Sequence, residues 1–364
     1  MEYYIYITKS CNLSCRYCCG RTIIRRVTAG SRITKQKSIS STVDYILNDV
    51  RKNGHEENTI VFYGGEPLLN QEDIIEVIRC TQDRANLKYF LYTNGVLLDT
   101  MTPFLLANID YIVVSIDGEE SLHNKNRGKN TYTQVMNNVK SISTCFKGET
   151  IARLTLTKDS KVDEAVFSLT DTFNHIFWQI ENSGSTNMGH FAENYKKGVA
   201  NLLAWWISHV QNGWVPNLVP FQAITSSIIL GRRHTHFRCG FGHTLKVIDT
   251  DGDVHLCDEI MCDPELKADN YMIKDGFEPD DWIVEKLSAE CNNCDVRYIC
   301  GGRCAHMLLA YPHKKIRLYC ELTNNTISKI NDVVPTIREA LCNKRISLQQ
   351  IDTYVSRNGT EQIP

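Results

Sequence analysis

CNLSCRYC, residues 11–18, sets three cysteines in the spacing C-x3-C-x2-C directly behind the strand-like run EYYIYIT of residues 2–8. Three thiolates on one loop can take three corners of a cubane iron–sulfur cluster and leave the fourth iron without a protein ligand. A structural zinc site wants a fourth side chain and a closed tetrahedron. Cys19 adjoins Cys18, and neighbouring residues rarely chelate one ion, so zinc is the competing reading and an open cluster the stronger one.

Outward from that loop, β-branched and aromatic runs alternate with helical periods. Strands are expected at Tyr3–Thr8, Thr59–Tyr63, Tyr89–Thr93, Tyr111–Ile116, Ile151–Thr157 and Ile176–Ile180. Helices are expected at Ser41–Arg51 (capped by Ser40 or Ser41), Glu72–Asp83, Tyr132–Ser143 and Asp163–Phe173. Such alternation predicts an α/β fold with a parallel sheet wound right-handedly. Six units are too few for a closed eight-stranded barrel, so an open or partial barrel is expected, with its chemistry at the C-terminal strand ends.

The chain has 364 residues, a net charge of -2 and 15 cysteines. The balanced charge gives no basic field for a nucleic-acid partner. No signal-like N-terminus or apolar run of membrane-spanning length is present, so the reading is cytoplasmic, with no membrane. Clustered cysteines in a reducing compartment point to metal rather than to disulfides. Cys80, Cys145 and Cys342 stand alone and read as inert thiols.

CNLSCRYC resembles the cluster motif of the radical S-adenosylmethionine (SAM) superfamily, C-x3-C-x-aromatic-C, with Tyr17 as the aromatic that packs on adenine. Cys19 departs from the aromatic that usually follows and has no assigned role. Gly64-Gly65-Glu66-Pro67, closing the second strand, is similar to the family's turn that binds the methionyl amino group of SAM. Two glycines permit close backbone approach, and a carboxylate can accept from an ammonium. Ser115 and Asp117 match a segment that contacts ribose and carboxylate, and Arg127 or Arg153 could pair with that carboxylate. Thr93-Asn94-Gly95 is similar to a further family turn. The resemblance thus implies a partial (β/α)6 barrel, a [4Fe–4S] cluster on Cys11, Cys15 and Cys18, and bound SAM.

Farther on stand Cys239-x12-Gly252-x4-Cys257, the run Cys291-x2-Cys294-x5-Cys300-x3-Cys304, and Cys320. This resembles the SPASM domain, an auxiliary-cluster extension of radical SAM enzymes that modify peptides and proteins. The resemblance implies one cluster on Cys291, Cys294, Cys300 and Cys320 and another on Cys239, Cys257 and Cys304. The second is one ligand short; Cys262, His234 or His236, or an open iron could complete it, with Cys262 preferred. A zinc-bearing tail is the competing reading. Asp258 corresponds to an aspartate thought to take a substrate proton in the sulfatase-maturing branch. The domains read as 1–185 barrel, 186–238 helical bridge, 239–322 auxiliary-cluster domain and 323–364 helical tail.

The implied activity is reductive cleavage of SAM to a 5'-deoxyadenosyl radical that modifies a peptide or protein side chain by crosslinking or oxidation. Formylglycine formation in a sulfatase is the alternative. A non-catalytic iron–sulfur carrier is a third reading, disfavoured because a carrier has no use for a SAM pocket. Implied partners are the peptide or protein substrate, an electron donor such as flavodoxin or ferredoxin, and a separate leader-binding protein, because the first strand begins at Tyr3 with no winged-helix extension before it.

Overall fold

The computed structural model describes residues 1–28, 35–182, 189–266, 271–273, 289–311 and 313–358. They form two compact units. The first contains Met1–Ile116, Glu120–Ile151 and Gly240–Glu278, the second Asp117–Glu119, Ala152–Cys239 and Pro279–Pro364.

In chain order the first unit begins with β1 (Glu2–Thr8), the short pair β2 (Ser10–Cys11) and β3 (Arg25–Arg26), α1 (Ile39–Asn53), β4 (Asn58–Gly64), α2 (Gln71–Thr81), β5 (Leu87–Thr93), α3 (Pro103–Asn108), β6 (Tyr111–Ser115), α4 (Glu120–Arg127) and α5 (Thr131–Ile142). β7 (Glu149–Leu156) starts there and runs into the second unit, which continues with α6 (Val162–Phe167), β8 (His175–Ile180), α7 (Gly189–Gln211) and α8 (Val219–Leu230). β9 (Leu245–Ile248), β10 (Val254–His255) and α9 (Asp258–Cys262) return to the first unit.

All six expected strands are present, and the parallel α/β arrangement is borne out. In the first unit the strand order is β10-β9-β1-β4-β5-β6. β1, β4, β5 and β6 are parallel, β9 adds to β1 in parallel, and only β10 runs against its neighbour. Parallel strands all end on one edge, so Thr8, Gly64, Thr93 and Ser115 end together, and the loops after them share that edge.

Alternation along β1 separates two faces. Tyr3, Ile5 and Ile7 are fully buried, and the Tyr3 hydroxyl donates to Asp49 of α1 at 2.6 Å. On the other face Tyr4 and Tyr6 meet Tyr63 of β4 at ring-centroid distances of 5.5 and 5.3 Å, and Tyr63 meets Tyr92 of β5 at 5.5 Å.

Helix boundaries differ from expectation for local reasons. α1 starts at Ile39 because the Ser38 hydroxyl accepts from Ser41 N–H, and it stops at Gly54, whose φ of 67° only glycine adopts freely. α6 ends at Phe167 although its apolar period runs to Phe173, because Leu169 and Phe173 are buried from turns instead. In the second unit Trp178 and Trp206 are fully buried and edge-packed on Phe221, with indole N–H groups donating to the Tyr195 hydroxyl and Pro216 O. Among the described residues no helix is long and apolar enough to cross a membrane.

The β9–β10 turn fixes the start of the cysteine loop. Asp249 accepts from the backbone N–H groups of Asp251 and Asp253 at 2.8 and 3.0 Å and lies 3.5 Å from Lys9. Burial alone would raise its pKa, but His255, those N–H groups and Lys9 hold it down to about 2. A depressed carboxylate stabilises the fold above its unfolded pKa of 3.8, and the gain is lost as pH falls towards 2. Asp249→Asn is expected to cost about 1–3 kcal/mol at pH 7, with little difference from wild type at pH 2, in urea unfolding.

Candidate active site

The loop after β1 lies against the turn after β4. Gly65 N–H donates to Thr8 O, and Glu66 N–H to Ser10 O, both at 2.8 Å. A Cβ on Gly65 would sit 2.1 Å from Ser10 O and one on Gly64 2.4 Å from Thr8 O, with Gly64 at φ 129°. The two glycines therefore admit the protein's own cysteine loop, a requirement separate from any ligand.

Glu66 is fully buried. Its Oε1 accepts from Thr93 Oγ1 at 2.8 Å and Leu68 N–H at 3.1 Å, and its Oε2 from Asn94 N–H at 2.7 Å. Burial pushes its pKa up to about 7, while those three hydrogen bonds pull the other way. Asn94 completes the contact, donating to Asn12 Oδ1 at 2.7 Å and lying 3.9 Å from Cys11 Sγ. The expected Thr-Asn-Gly turn is thus part of the site, joined to the cysteine loop by Asn94.

Cys11, Cys15 and Cys18 are half-buried; Cys11 feels the charge of Cys15 and Cys18, and Cys18 that of Cys15 and Cys262. Burial first, then Glu66 and the neighbouring thiols, pushes Cys11 up to about 12, opposed by the Leu13 N–H that donates to its sulfur at 3.4 Å. Thiolates that feel one another's charge are relieved by a cationic group, and three cysteines on one loop are the donor type that an open iron–sulfur cluster takes. Among the described residues no three His, Cys, Asp or Glu side chains are gathered for a single metal ion. Arg16 N–H donates to Asn126 O at 2.8 Å, and the Arg127 guanidinium lies 5.3 Å from the Tyr17 ring centre. Arg127 therefore stacks on the aromatic expected to hold adenine.

Ser115 closes β6 half-buried. Asp117, in the second unit, is 1% exposed and accepts from Thr155 N–H at 3.3 Å. Arg153 donates to Gln179 Oε1 at 2.7 Å, an internal pairing on β7 and β8.

In the second unit, burial raises the Cys320 pKa; the charges of Cys300, Cys291 and Cys294 add to the rise, while Arg303 opposes it. The charges of Cys291, Cys294 and Cys300 thus reach Cys320, although among the described residues no three such side chains are gathered for a single metal ion. Arg303, whose Nη1 donates to Thr323 Oγ1 at 3.0 Å, is a cation beside them that sequence reasoning missed. Cys304 caps the helix Ala305–Ala310. Arg238, next to Cys239, is buried against Ile299 O, where Gly301 leaves room for it. His234 N–H donates to Tyr298 O at 2.8 Å.

In the first unit, Cys257 caps α9 and its thiol lies 3.9 Å from Asp258 Oδ1. The charge of Asp258 is among the causes that raise the pKa of Tyr4 and Tyr6. Cys262 lies against Tyr6 and Cys19.

Residues 5–166 match the model of the Radical SAM superfamily, and the chain carries a radical SAM domain there. A "Cysteine-type anaerobic sulfatase-maturating enzyme" of Clostridium perfringens is 26% identical over 326 residues, which cover 82% of this chain and 86% of that protein. Among solved structures, "Native anSMEcpe with bound AdoMet" superposes with a TM-score of 0.71 at 20% identity, covering 92% of this chain and 99% of the other. "Crystal structure of Streptococcus suis SuiB bound to precursor peptide SuiA" gives 0.55 at 17% identity, covering 85% and 73%. These two structures share the fold.

Gly65→Ala is expected to displace the cysteine loop and lower iron content in the reconstituted protein while leaving far-ultraviolet circular dichroism unchanged. Glu66→Gln places an amide N–H₂ against a backbone N–H or the Thr93 hydroxyl. A loss of about 1.5–3 kcal/mol in SAM binding is expected by calorimetric titration.

Proposed function

We propose that this chain, a radical SAM enzyme, modifies a side chain of a peptide or protein by oxidation or crosslinking. Cys11, Cys15 and Cys18 would hold a [4Fe–4S] cluster, and Tyr17, Gly64, Gly65, Glu66, Ser115 and Asp117 would bind SAM. When reduced, that cluster supplies an electron that cleaves SAM and yields a radical able to take hydrogen from an unactivated C–H bond. The observation that carries the reading is the packing of Thr8 and Ser10, at the start of the cysteine loop, against the Gly64–Pro67 turn at the shared C-terminal edge of the parallel strands, with Glu66 acting on Cys11.

The chain's own residues would do the rest. Glu66, buried and poised near neutrality, would accept from the methionyl ammonium of SAM, whose charge favours the carboxylate form. Arg127 would hold the Tyr17 ring against a base. Asp258, whose charge acts on Tyr4 and Tyr6, would remove a proton from the substrate residue. Cys291, Cys294, Cys300 and Cys320 would hold one auxiliary cluster, with Arg303 favouring its reduced, more negative state. Cys239, Cys257 and Cys304 would hold a second.

A peptide substrate is supported by the relatives, since SuiB was solved with a precursor peptide and anSMEcpe with the Kp18Cys peptide. Oxidation of a cysteine in a sulfatase is the second reading, favoured by the name of the Clostridium perfringens relative. A flavodoxin or ferredoxin would deliver electrons in the cytoplasm, and a separate leader-binding protein would present the substrate.

Replacing Cys11, Cys15 and Cys18 together with alanine should abolish deoxyadenosine formation from SAM and dithionite while auxiliary-cluster absorption persists. Deoxyadenosine above background in that variant refutes the assignment. Asp258→Asn should cleave SAM at the wild-type rate yet form at least roughly 10²-fold less modified product from a cysteine-containing peptide, scored by mass spectrometry.

A further inference from the structure

α9 has five residues, too few to hold a helix by its own hydrogen bonds, so its place depends on packing. Ile260 is fully buried, and Met261 packs on Tyr6, Leu245 and Val247. The last residue, Cys262, makes the polar contacts. It is 2% exposed, its Sγ lies 3.6 Å from the Tyr6 hydroxyl, and its side chain is hydrogen-bonded to that of Cys19. Its carbonyl accepts from Thr22 Oγ1 at 2.7 Å. Tyr6 lies on β1, just before the cysteine loop, and Cys19 and Thr22 are the two ends of the 3-10 turn just after it. One residue thus ties α9 to both sides of the loop.

The same geometry bears on ligation. Cys257 is the extended cap before the first turn of α9 and Cys262 its last residue, so the two sit at opposite ends of the helix. The Cys262 sulfur is already engaged by the Tyr6 hydroxyl at 3.6 Å and lies beside Cys19. Binding iron would require loss of those contacts.

We propose that Cys262 is a positioning residue that latches α9, and with it Asp258, to the cysteine loop through Tyr6, Cys19 and Thr22, and is no ligand of an iron–sulfur cluster. Its catalytic consequence rests on the role assigned to Asp258; the latch itself does not. Cys19, which the cluster motif leaves without a task, becomes the partner that places the latch beside Cys18.

The test compares anaerobically reconstituted wild type with Cys262→Ser, Cys262→Ala and Thr22→Val. Iron per chain is expected to be equal in all four. An infrared S–H stretching band present in wild type should be absent from both Cys262 variants, since a cluster ligand has no S–H bond. Hydrogen exchange across residues 258–262 should quicken roughly fivefold in Cys262→Ala and Thr22→Val, the factor expected for one lost hydrogen bond, and less in Cys262→Ser, which keeps a hydroxyl. Loss of about one cluster's iron from Cys262→Ala with no change in the S–H band overturns the proposal, as does unchanged exchange in Cys262→Ala and Thr22→Val. If wild type takes up no iron at all, the radical SAM site assignment fails, while the S–H band and exchange still decide the latch. Thr22→Val and Cys262→Ser retain the thiol or a near substitute, so the test stands even where Cys262→Ala does not fold.

Discussion

Two backbone hydrogen bonds, Gly65 N–H to Thr8 O and Glu66 N–H to Ser10 O, bring the loop after β1 against the turn after β4. They form only because residues 64 and 65 have no Cβ. Every other feature of the site hangs on this approach. It buries Glu66, whose carboxylate then takes the N–H of Asn94 and the hydroxyl of Thr93, and so binds the end of β5 to the end of β4. Asn94 in turn reaches Asn12 and Cys11. The cysteine loop is therefore held by a closed ring of main-chain and carboxylate contacts before any cofactor enters. This is the preorganisation that a site for radical chemistry requires.

Burying a carboxylate without a cation is costly, and the raised pKa of Glu66 measures that cost. The raised pKa of Cys11 has the same origin, since burial and nearby negative charge both oppose the thiolate. Both groups are destabilised in the charged form that ligand binding needs. A cationic cluster and an ammonium-bearing cofactor would relieve both together, coupling cofactor binding to local stability.

Much of this was legible in the sequence because its signals are local. The six strands carry β-branched and aromatic runs, and the cysteine spacings are covalent facts of the chain. What sequence reasoning missed depends on contacts distant along the chain. LKVI, four residues long, gives no hint that it adds to β1 in parallel. The role of Gly64 and Gly65 in admitting the protein's own loop needed the position of Ser10 O. Arg303 became part of a cysteine group only once Cys320 stood beside Cys300. The pairing of Gln179 with Arg153, between β8 and β7, likewise joins residues far apart along the chain.

The tyrosine face explains why a base would sit on so short a helix. Tyr4, Tyr6, Tyr63 and Tyr92 cover the sheet beneath α9 with rings in edge contact, and burial raises the pKa of Tyr4 and Tyr6 well above the usual phenol value. They stay neutral at any working pH, so the face offers hydroxyl dipoles without competing negative charge. Asp258 must stay in register with β1 for its charge to act on this face, and α9 is too short to secure that alone; the contacts of Ile260, Met261 and Cys262 supply it.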